Sequence, residues 1–242
     1  MKAIILAAGY ATRLYPLTIN TPKALLTVGK ETILDFIVKE INTIPDVDEI
    51  LIVTNDRFYN QFCKWNECIR DIPIKIINDN TTDDTNKLGA IGDIQYVIDK
   101  ENIEDDVLIM ASDNIFTFKL IDFFNEFKNK NKDIILVSEI QNKEDLKRMA
   151  NVVMDETNKV VNLVEKPAEP ISNIAAYAAY IYTKETVPMI KEYLEQGDNP
   201  DAPGFFPAWL YKQKELYGYK FNGEFYDIGT PKAYAEIQEL FK

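Results

Sequence analysis

The chain contains no histidine, which removes the commonest general base and the commonest transition-metal ligand in proteins. Catalysis by a histidine triad and zinc binding by histidine are therefore excluded. Any chemistry at a site must come from carboxylates, lysines and arginines. Carboxylate oxygens suit a hard cation, so we expect Mg²⁺ if a metal is bound.

Cysteine is scarce as well, with two residues, Cys63 and Cys68, among 242. They lie five positions apart in a segment with a helical pattern, which places them on different faces of a helix and outside disulfide geometry. We predict two free thiols with a structural role.

Long apolar runs and excess positive charge are also missing. The opening residues MKAIILAAG contain one short apolar run that stops at Gly9, too short for a signal-peptide core or a membrane span. The 27 basic and 39 acidic residues leave a net charge of −12, which argues against binding nucleic acid or an anionic membrane. We expect a cytoplasmic protein that meets any phosphate ligand with a few placed cations or a metal.

The first half alternates apolar runs of strand length with helical patterns. Predicted strands are Lys2–Leu6, Ile50–Thr54, Ile74–Ile77, Val107–Ala111 and Ile134–Ile140, and predicted helices are Thr32–Ile44, Asp56–Ile69, Leu88–Lys100 and Phe118–Lys128. The strands lack polar alternation, so both of their faces should be buried. Repeated βα units predict an α/β fold with a mostly parallel, doubly wound central sheet.

The second half predicts smaller mixed or antiparallel additions to this sheet. Its strands are Asn151–Asp155, Val160–Val164, Ile174–Tyr182 and Leu216–Phe221, and its helices are Lys184–Leu194 and Ala208–Lys214. No linker or repeat separates the halves, so we expect one domain over residues 1–242. Open sheets of this kind bind ligands beyond the carboxyl ends of their strands.

The segment after the first strand reads LAAGYATRLYPLTINTPKALLTVG. Its small residues Ala7, Ala8 and Gly9 leave the backbone open to a ligand, and Arg13 and Lys23 add positive charge, a combination suited to a triphosphate. Neither the P-loop string nor GxGxxG is present, which weakens a kinase or dehydrogenase interpretation. The alternative is a strand end followed by proline turns and two ordinary surface cations.

The opening motif closely resembles that of the sugar-nucleotide pyrophosphorylases, the sugar-1-phosphate nucleotidyltransferases of the glucose-1-phosphate thymidylyltransferase type. Further matches follow in the family's order: LGAIGD at Leu88–Asp93, SDN at Ser112–Asn114, EKP at Glu165–Pro167 and YDIGTPKAY at Tyr226–Tyr234. The resemblance implies a three-layer Rossmann-like sandwich of the nucleotide-diphospho-sugar transferase type. It also implies a nucleotide-binding half, about residues 1–115, and a sugar-phosphate-binding half, about residues 116–242.

Two aspartates are candidate metal ligands. Asp113 follows the strand Val107–Ala111 and should emerge at the ligand-binding edge of the sheet, and Asp227 precedes a Gly-Thr-Pro turn. Either one alone is typical of a turn or helix cap. Together with the resemblance, they indicate a shared Mg²⁺ that keeps positions open for substrate phosphates and water.

The resemblance implies the remaining roles. It assigns nucleotide binding to Leu6, Ala7, Ala8, Gly9, Arg13, Lys23, Gly89 and Asp113, sugar-phosphate binding to Glu165, Lys166 and Tyr180, and catalysis to Arg13, Lys23, Asp113 and Lys166. Lys166 would neutralise the acceptor phosphate, while Glu165 would accept hydrogen bonds from hydroxyl groups. Without the family, such a Glu-Lys pair is typical of solvated surface, and a tyrosine such as Tyr180 is typical of the core.

The implied reaction joins an NTP, with dTTP or UTP favoured and CTP a further candidate, to a sugar 1-phosphate and releases pyrophosphate. The implied partners are these two substrates and, as in many relatives, further copies of the chain. One alternative is a cytidylyltransferase acting on phosphocholine or another non-sugar phosphate. A second is a non-catalytic regulatory subunit that binds a sugar nucleotide.

The sequence departs from the family pattern in three places. Ala11 replaces the usual second glycine of the loop, Ser112 replaces a common glycine, and Ala150–Asn151 stands where many relatives have Tyr-Gly. We expect the loop either to adopt a conformation that a Cβ atom tolerates or to bind phosphate slightly differently.

Overall fold

A computed structural model describes residues 1–67 and 71–241. The strands are β1 Lys2–Leu6, β2 Thr27–Val28, β3 Glu31–Thr32, β4 Glu49–Thr54, β5 Ile74–Asn78, β6 Val107–Ala111, β7 Asn114–Phe116, β8 Asp133–Glu139, β9 Ala150–Met154, β10 Val160–Glu165, β11 Ile174–Tyr182, β12 Leu216–Lys220 and β13 Phe225–Asp227. The helices are α1 Ile33–Ile41, α2 Tyr59–Trp65, α3 Ala90–Glu101, α4 Leu120–Lys130, α5 Lys143–Leu146, α6 Val187–Glu195, α7 Phe205–Leu210 and α8 Pro231–Leu240.

The chain divides into two compact units that interleave along the sequence. The first unit comprises Met1–Leu88, Met110–Ile121 and Gly223–Lys242, and the second comprises Gly89–Ile109 and Asp122–Asn222. The single domain expected from the sequence stays a prediction.

In the first unit, β1, β4 and β5 pair in parallel, with Leu6 opposite Val53 and Thr54 opposite Asn78. Ile4 and Ile5 of β1 and most of β4 are fully buried, which confirms the expectation of burial on both faces for these two strands. The expectation is wrong for β5, where Lys75 is exposed and Ile74 and Ile76 are only half-buried. Thr32 caps the first helix through a reciprocal capping box with Asp35. These parallel strands end at one edge, where the predicted nucleotide loop begins.

The second unit has a mixed sheet. β8 pairs antiparallel with β11 and parallel with β12, β11 also pairs antiparallel with β9, and β9 pairs antiparallel with β10. The antiparallel part therefore begins at β8, earlier in the chain than the sequence predicted. Tyr180 and Tyr182 stack with ring centroids 5.7 Å apart, so their side chains share one face of β11.

Several predicted boundaries need correction. The helix predicted at Ala208–Lys214 is wrong, because the observed helix is Phe205–Leu210, with Pro207 in its first turn, where proline costs no intrahelical hydrogen bond. The helix predicted at Asp56–Ile69 is observed as Tyr59–Trp65, and its predicted end lies outside the described residues. Cys63 is a free thiol, whereas Cys68 also lies outside the described residues. Within the described ranges, every helix is too short or too polar to cross a membrane.

Candidate active site

Three predicted site residues of the first unit meet at one point. Lys23 Nζ lies 2.8 Å from Asp113 Oδ2 and 3.5 Å from Asp227 Oδ1, so a single ammonium group joins two carboxylates. The Lys23 side chain is only 10% exposed, whereas those of Asp113 and Asp227 are 40% and 66% exposed. The carboxylates therefore remain open to a ligand on the side away from the lysine.

Pairing of two short strands explains how Asp113 and Asp227 meet. β13 runs antiparallel to β7 with Asp227 opposite Asn114, and the Ile228 N–H donates to the Asp113 carbonyl at 3.3 Å. The Asn114 side-chain amide donates to Asp113 Oδ1 at 2.7 Å, which fixes the orientation of that carboxylate. Residues from distant parts of the chain are thus held as neighbours by backbone hydrogen bonds.

Asp113 also lies beside the predicted nucleotide loop, because the Ser112 N–H donates to the Leu6 carbonyl at 3.1 Å. On the other side of β1, the Ala7 N–H donates to the Val53 carbonyl at 2.9 Å. The loop that contains Ala8 and Gly9 therefore leaves the sheet between two neighbouring strand ends, as ligand-binding loops of open α/β sheets do. A Cβ atom placed on Gly9 would meet nothing within 4 Å, so space for a ligand is open there.

The two aspartates affect each other electrostatically. The pKa of Asp227 is raised by partial removal of water from its carboxyl group and by the negative charge of Asp113, and the positive charges of Lys23 and Arg13 oppose this rise. The Asp227 side chain is 66% exposed, so removal of water from it is incomplete, and the like charge of Asp113 contributes directly to the rise. A pair of like charges held this way favours binding of an additional cation.

The donor set fits Mg²⁺ with two protein carboxylates. Among the described residues there is no group of three or more histidine, cysteine, aspartate or glutamate side chains arranged to hold a metal. Mg²⁺ commonly uses one or two carboxylates and completes its shell with water and substrate phosphates. Mg²⁺ binding by Asp113 and Asp227 stays a prediction.

The loop conformation at Ala11 is the feature that the sequence left open. Ala11 adopts the left-handed conformation with φ 47° and ψ 42°, which a glycine reaches with less strain. Its carbonyl accepts hydrogen bonds from the Thr18 hydroxyl at 2.8 Å and from the Leu14 N–H at 3.0 Å. The turn is held in place by these contacts despite the Cβ atom, and it presents Arg13 on the surface.

Asn55 is a residue that the sequence analysis missed. Its fully buried side chain donates to the Ala8 carbonyl at 2.8 Å and accepts from the Phe58 N–H at 3.1 Å. Asn55 thus connects the end of β4 to the predicted nucleotide loop. A lone asparagine after a strand is typical of a turn, so only its tertiary contact reveals this role.

In the second unit, Glu165 and Lys166 lie at the end of β10. The Glu165 side chain is only 7% exposed, and its Oε1 lies 3.7 Å from Lys166 Nζ, whereas Lys166 is half exposed. Burial raises the pKa of Glu165 above its ordinary value, and Lys166 opposes that rise. Lys166 has a left-handed φ of 46°, and its N–H donates to the Met149 carbonyl at 3.2 Å. The pair is therefore built into the fold rather than a solvated surface pair.

Tyr180, the third predicted sugar-phosphate residue, is buried in the core of the second unit. Burial raises the pKa of Tyr180 well above its ordinary value, and the negative charge of Glu165 adds to the rise. Tyr180 therefore lies within electrostatic range of Glu165 but stays protonated. A direct contact of Tyr180 with a sugar phosphate stays a prediction.

Gly89 directly precedes α3 and has φ 79°, a conformation that favours glycine. A Cβ atom on it would lie 2.5 Å from the Pro200 carbonyl oxygen and 2.9 Å from Asp201 Cα. Close backbone packing within the second unit is thus one reason for a glycine at this position. The nucleotide contact expected for Gly89 stays a prediction.

Comparison with known proteins agrees with this architecture. The chain is 29% identical to the bifunctional protein GlmU of Methanocaldococcus jannaschii over 96% of its own length and 52% of the relative. It is 26% identical to a glucose-1-phosphate adenylyltransferase of Desulfitobacterium hafniense strain Y51, covering 96% of the chain and 62% of the relative. The chain thus spans about half to three fifths of the length of these curated relatives.

A solved structure of UDP-glucose pyrophosphorylase complexed with UDP-glucose superposes with a TM-score of 0.84 over 99% of this chain and 97% of that one, at 18% identity. The fold is that of the α/β nucleotide-diphospho-sugar transferases with a mostly parallel central sheet, as predicted. The sequence model of the family described as nucleotidyl transferase matches residues 2–242. The chain belongs to the nucleotidyl transferase family.

Proposed function

We propose that this protein is a sugar-1-phosphate nucleotidyltransferase, which condenses an NTP with a sugar 1-phosphate to give an NDP-sugar and pyrophosphate. The convergence of Asp113 and Asp227 on Lys23, beside an open backbone loop at the carboxyl ends of parallel strands, carries the proposal. The names of the relatives support the same class of reaction, because one transfers an adenylyl group to glucose 1-phosphate.

The reaction requires no protein nucleophile. A phosphate oxygen of the sugar 1-phosphate attacks the α-phosphorus of the NTP, the bond from that phosphorus to the bridging oxygen of the β-phosphate breaks, and pyrophosphate leaves with the electron pair. The protein must align the reactants and neutralise their charges. This division of labour explains how a chain without histidine can be an enzyme.

In the first unit, the backbone of Leu6–Gly9 approaches the triphosphate, and Arg13 and Lys23 neutralise the departing pyrophosphate. Asp113 and Asp227 would hold Mg²⁺, which when bound would supply further neutralisation of phosphate charge. In the second unit, Lys166 binds the phosphate of the acceptor and Glu165 accepts hydrogen bonds from its sugar hydroxyls. The resemblance to the glucose-1-phosphate thymidylyltransferase type favours dTTP or UTP as the nucleotide. ATP is a further candidate, because one relative is named as an adenylyltransferase.

A pyrophosphate-release assay with Mg²⁺ tests the proposal directly. We would cross dTTP, UTP, CTP, GTP and ATP with a panel of sugar 1-phosphates and phosphocholine. Release that requires both an NTP and a sugar 1-phosphate supports the proposal and names the substrates. Release with phosphocholine alone would replace the proposal with a cytidylyltransferase, and nucleotide-sugar binding without release would replace it with a regulatory subunit.

A further inference from the structure

The carboxylate of Glu165 occupies space that exists because residue 204 is a glycine. An ideal Cβ atom built on Gly204 would lie 2.0 Å from Glu165 Oε2 and 2.8 Å from its Cδ, both far inside van der Waals contact. The same Cβ atom would lie 3.3 Å from the Cβ atom of Ala150. Glu165 therefore cannot keep its observed side-chain position beside any larger residue at position 204.

Backbone conformation does not account for this glycine. Gly204 precedes α7 with φ −75° and ψ −10°, a right-handed conformation that every L-amino acid adopts readily. This distinguishes it from Gly89, whose φ of 79° favours glycine by itself. Position 204 therefore requires glycine because there is no room for a side chain, and not because its backbone conformation favours glycine.

The surrounding backbone is fixed, so a side chain at 204 would displace the carboxylate and leave the fold in place. β10 pairs with β9 with Glu165 opposite Ala150, and the Lys166 N–H donates to the Met149 carbonyl at 3.2 Å. On the opposing segment, the Ala208 N–H donates to the Gly204 carbonyl at 3.3 Å. The clash falls on the far end of a flexible glutamate, which can rotate towards Lys166 and solvent.

We infer that Gly204 is a positioning residue, which seats the Glu165 carboxylate where it accepts hydrogen bonds from the hydroxyl groups of the sugar 1-phosphate. The role of Glu165 in binding the sugar rests on the proposed function. The position of its carboxylate beside Gly204 does not, because it is a feature of the second unit alone. Gly204 touches no substrate in this account. It acts through Glu165, which it holds in a site of low exposure where hydrogen bonds to a charged group are strong.

The test is the variant Gly204→Ala, examined by crystallography and by steady-state kinetics. Its crystal structure should show the Glu165 carboxylate rotated away from the helix α7. The KM for the sugar 1-phosphate should rise about tenfold to a hundredfold, the effect of losing a hydrogen bond to a charged group. The KM for the NTP and the unfolding temperature should change little.

A double-mutant cycle separates positioning from a general packing defect. In a Glu165→Ala background the obstructed carboxylate is absent, so adding Gly204→Ala should produce no further rise in KM. The matched control is Gly218→Ala, whose Cβ atom would lie 2.2 Å from the flexible Met154 Sδ in the same unit. That control should leave the KM for the sugar 1-phosphate unchanged.

Two results would overturn the inference: Glu165 keeping its observed position in the Gly204→Ala crystal structure, or Gly204→Ala raising KM equally with and without Glu165. Failure of the proposed function gives a different pattern. In that case the wild-type protein turns over no sugar 1-phosphate, while the position of Glu165 in the variant crystal structure still decides whether Gly204 seats it.

Discussion

The ammonium group of Lys23 lies 2.8 Å from Oδ2 of Asp113, although 90 positions separate the two residues in the chain. This ion pair connects a residue proposed to neutralise the leaving pyrophosphate with a residue proposed to hold the metal. The ion pair therefore holds the short 3₁₀ turn that contains Lys23 against the end of β6, which precedes Asp113.

Replacing Asp113 by asparagine should separate catalysis from stability. We expect turnover to fall by at least about a hundredfold, because a metal ligand and its charge are lost at the phosphate site. The unfolding temperature should move by only a few degrees, since the Asp113 side chain is 40% exposed. Pyrophosphate release and thermal unfolding measure the two effects.

Asp48→Asn is the matched control for Asp113→Asn. Asp48 is an exposed, ion-paired carboxylate that precedes β4, at the strand end opposite to the proposed site. It should keep full turnover. Equal losses of activity in both variants, or a parallel loss of activity and melting temperature in Asp113→Asn, would contradict the assigned role.

Replacing Lys23 by glutamine should affect metal binding and turnover in opposite directions. Without the ammonium group, Asp113 and Asp227 lose the cation that pairs with both, so Mg²⁺ affinity in the absence of nucleotide should rise at least about tenfold. Turnover should fall, because the leaving pyrophosphate loses a cation. Isothermal titration with Mg²⁺ measures the first effect.

Lys119→Gln provides the charge-matched control for the metal titration, because Lys119 pairs with Glu40 at 3.2 Å on the surface of the same unit. Its Mg²⁺ affinity should equal that of the wild type. Weaker Mg²⁺ binding in Lys23→Gln than in Lys119→Gln would mean that the metal is not held by the two aspartates.

Asn55→Asp tests the connection between β4 and the nucleotide loop. An ionised aspartate cannot donate to the Ala8 carbonyl, and the buried hydrogen bond is worth about 1–3 kcal/mol when its partner is left unsatisfied. We expect lower stability and a KM for the NTP raised about tenfold, since the loop loses its fixed geometry. Urea unfolding and substrate kinetics are the measurements.

Asn66→Ala is a suitable comparison, because the Asn66 amide also donates to a backbone carbonyl, that of Ile74, at 2.8 Å. It should lower stability and leave the KM for the NTP unchanged. If Asn66→Ala raised the KM as much as Asn55→Asp, the nucleotide effect would be an unspecific result of destabilisation.

Glu165→Gln should stabilise the protein at neutral pH and impair use of the acceptor. Burial raises the pKa of Glu165 above its ordinary value of 4.5, so ionisation of this carboxyl destabilises the folded state. That penalty is absent below pH 4.5, grows as pH rises towards the folded pKa, and is complete above the folded pKa. The variant should therefore melt at a higher temperature than the wild type near neutral pH and at the same temperature in acid.

Thermal unfolding of both proteins across this pH range checks the sign. A variant that is less stable than the wild type near neutral pH would show that the folded protein stabilises the ionised carboxylate, contrary to its burial. Glu169→Gln, a change of an exposed glutamate in the same unit, should show no such pH-dependent gain.

The sequence predicted those elements whose apolar runs end sharply at polar residues. The bounds of β1, β6 and β11 agree with the predicted strands residue for residue, because each is a mostly apolar run that is buried over most of its length. The strands β7 and β13 have only three residues each and were missed. Their pairing depends on contacts between distant parts of the chain, which no local pattern encodes.

The same distinction holds for the candidate site. Lys23, Asp113 and Asp227 were identified from motifs at strand ends and turns, but their meeting at one ammonium group depends on the pairing of β13 with β7. Asn55 and Gly204 were not identified, because an asparagine after a strand and a glycine in a turn have ordinary local explanations. Their significance lies in what they contact in the folded chain.

Isotope transfer tests the central claim most directly. The wild-type protein would be incubated with Mg²⁺, the NTP found active and a sugar 1-phosphate whose three non-bridging phosphate oxygens are ¹⁸O. Mass spectrometry would then measure the ¹⁸O content of each product. The account predicts an NDP-sugar that retains all three labels and a pyrophosphate that carries none. Label in pyrophosphate, or the absence of any labelled NDP-sugar, would contradict attack by the sugar phosphate on the α-phosphorus.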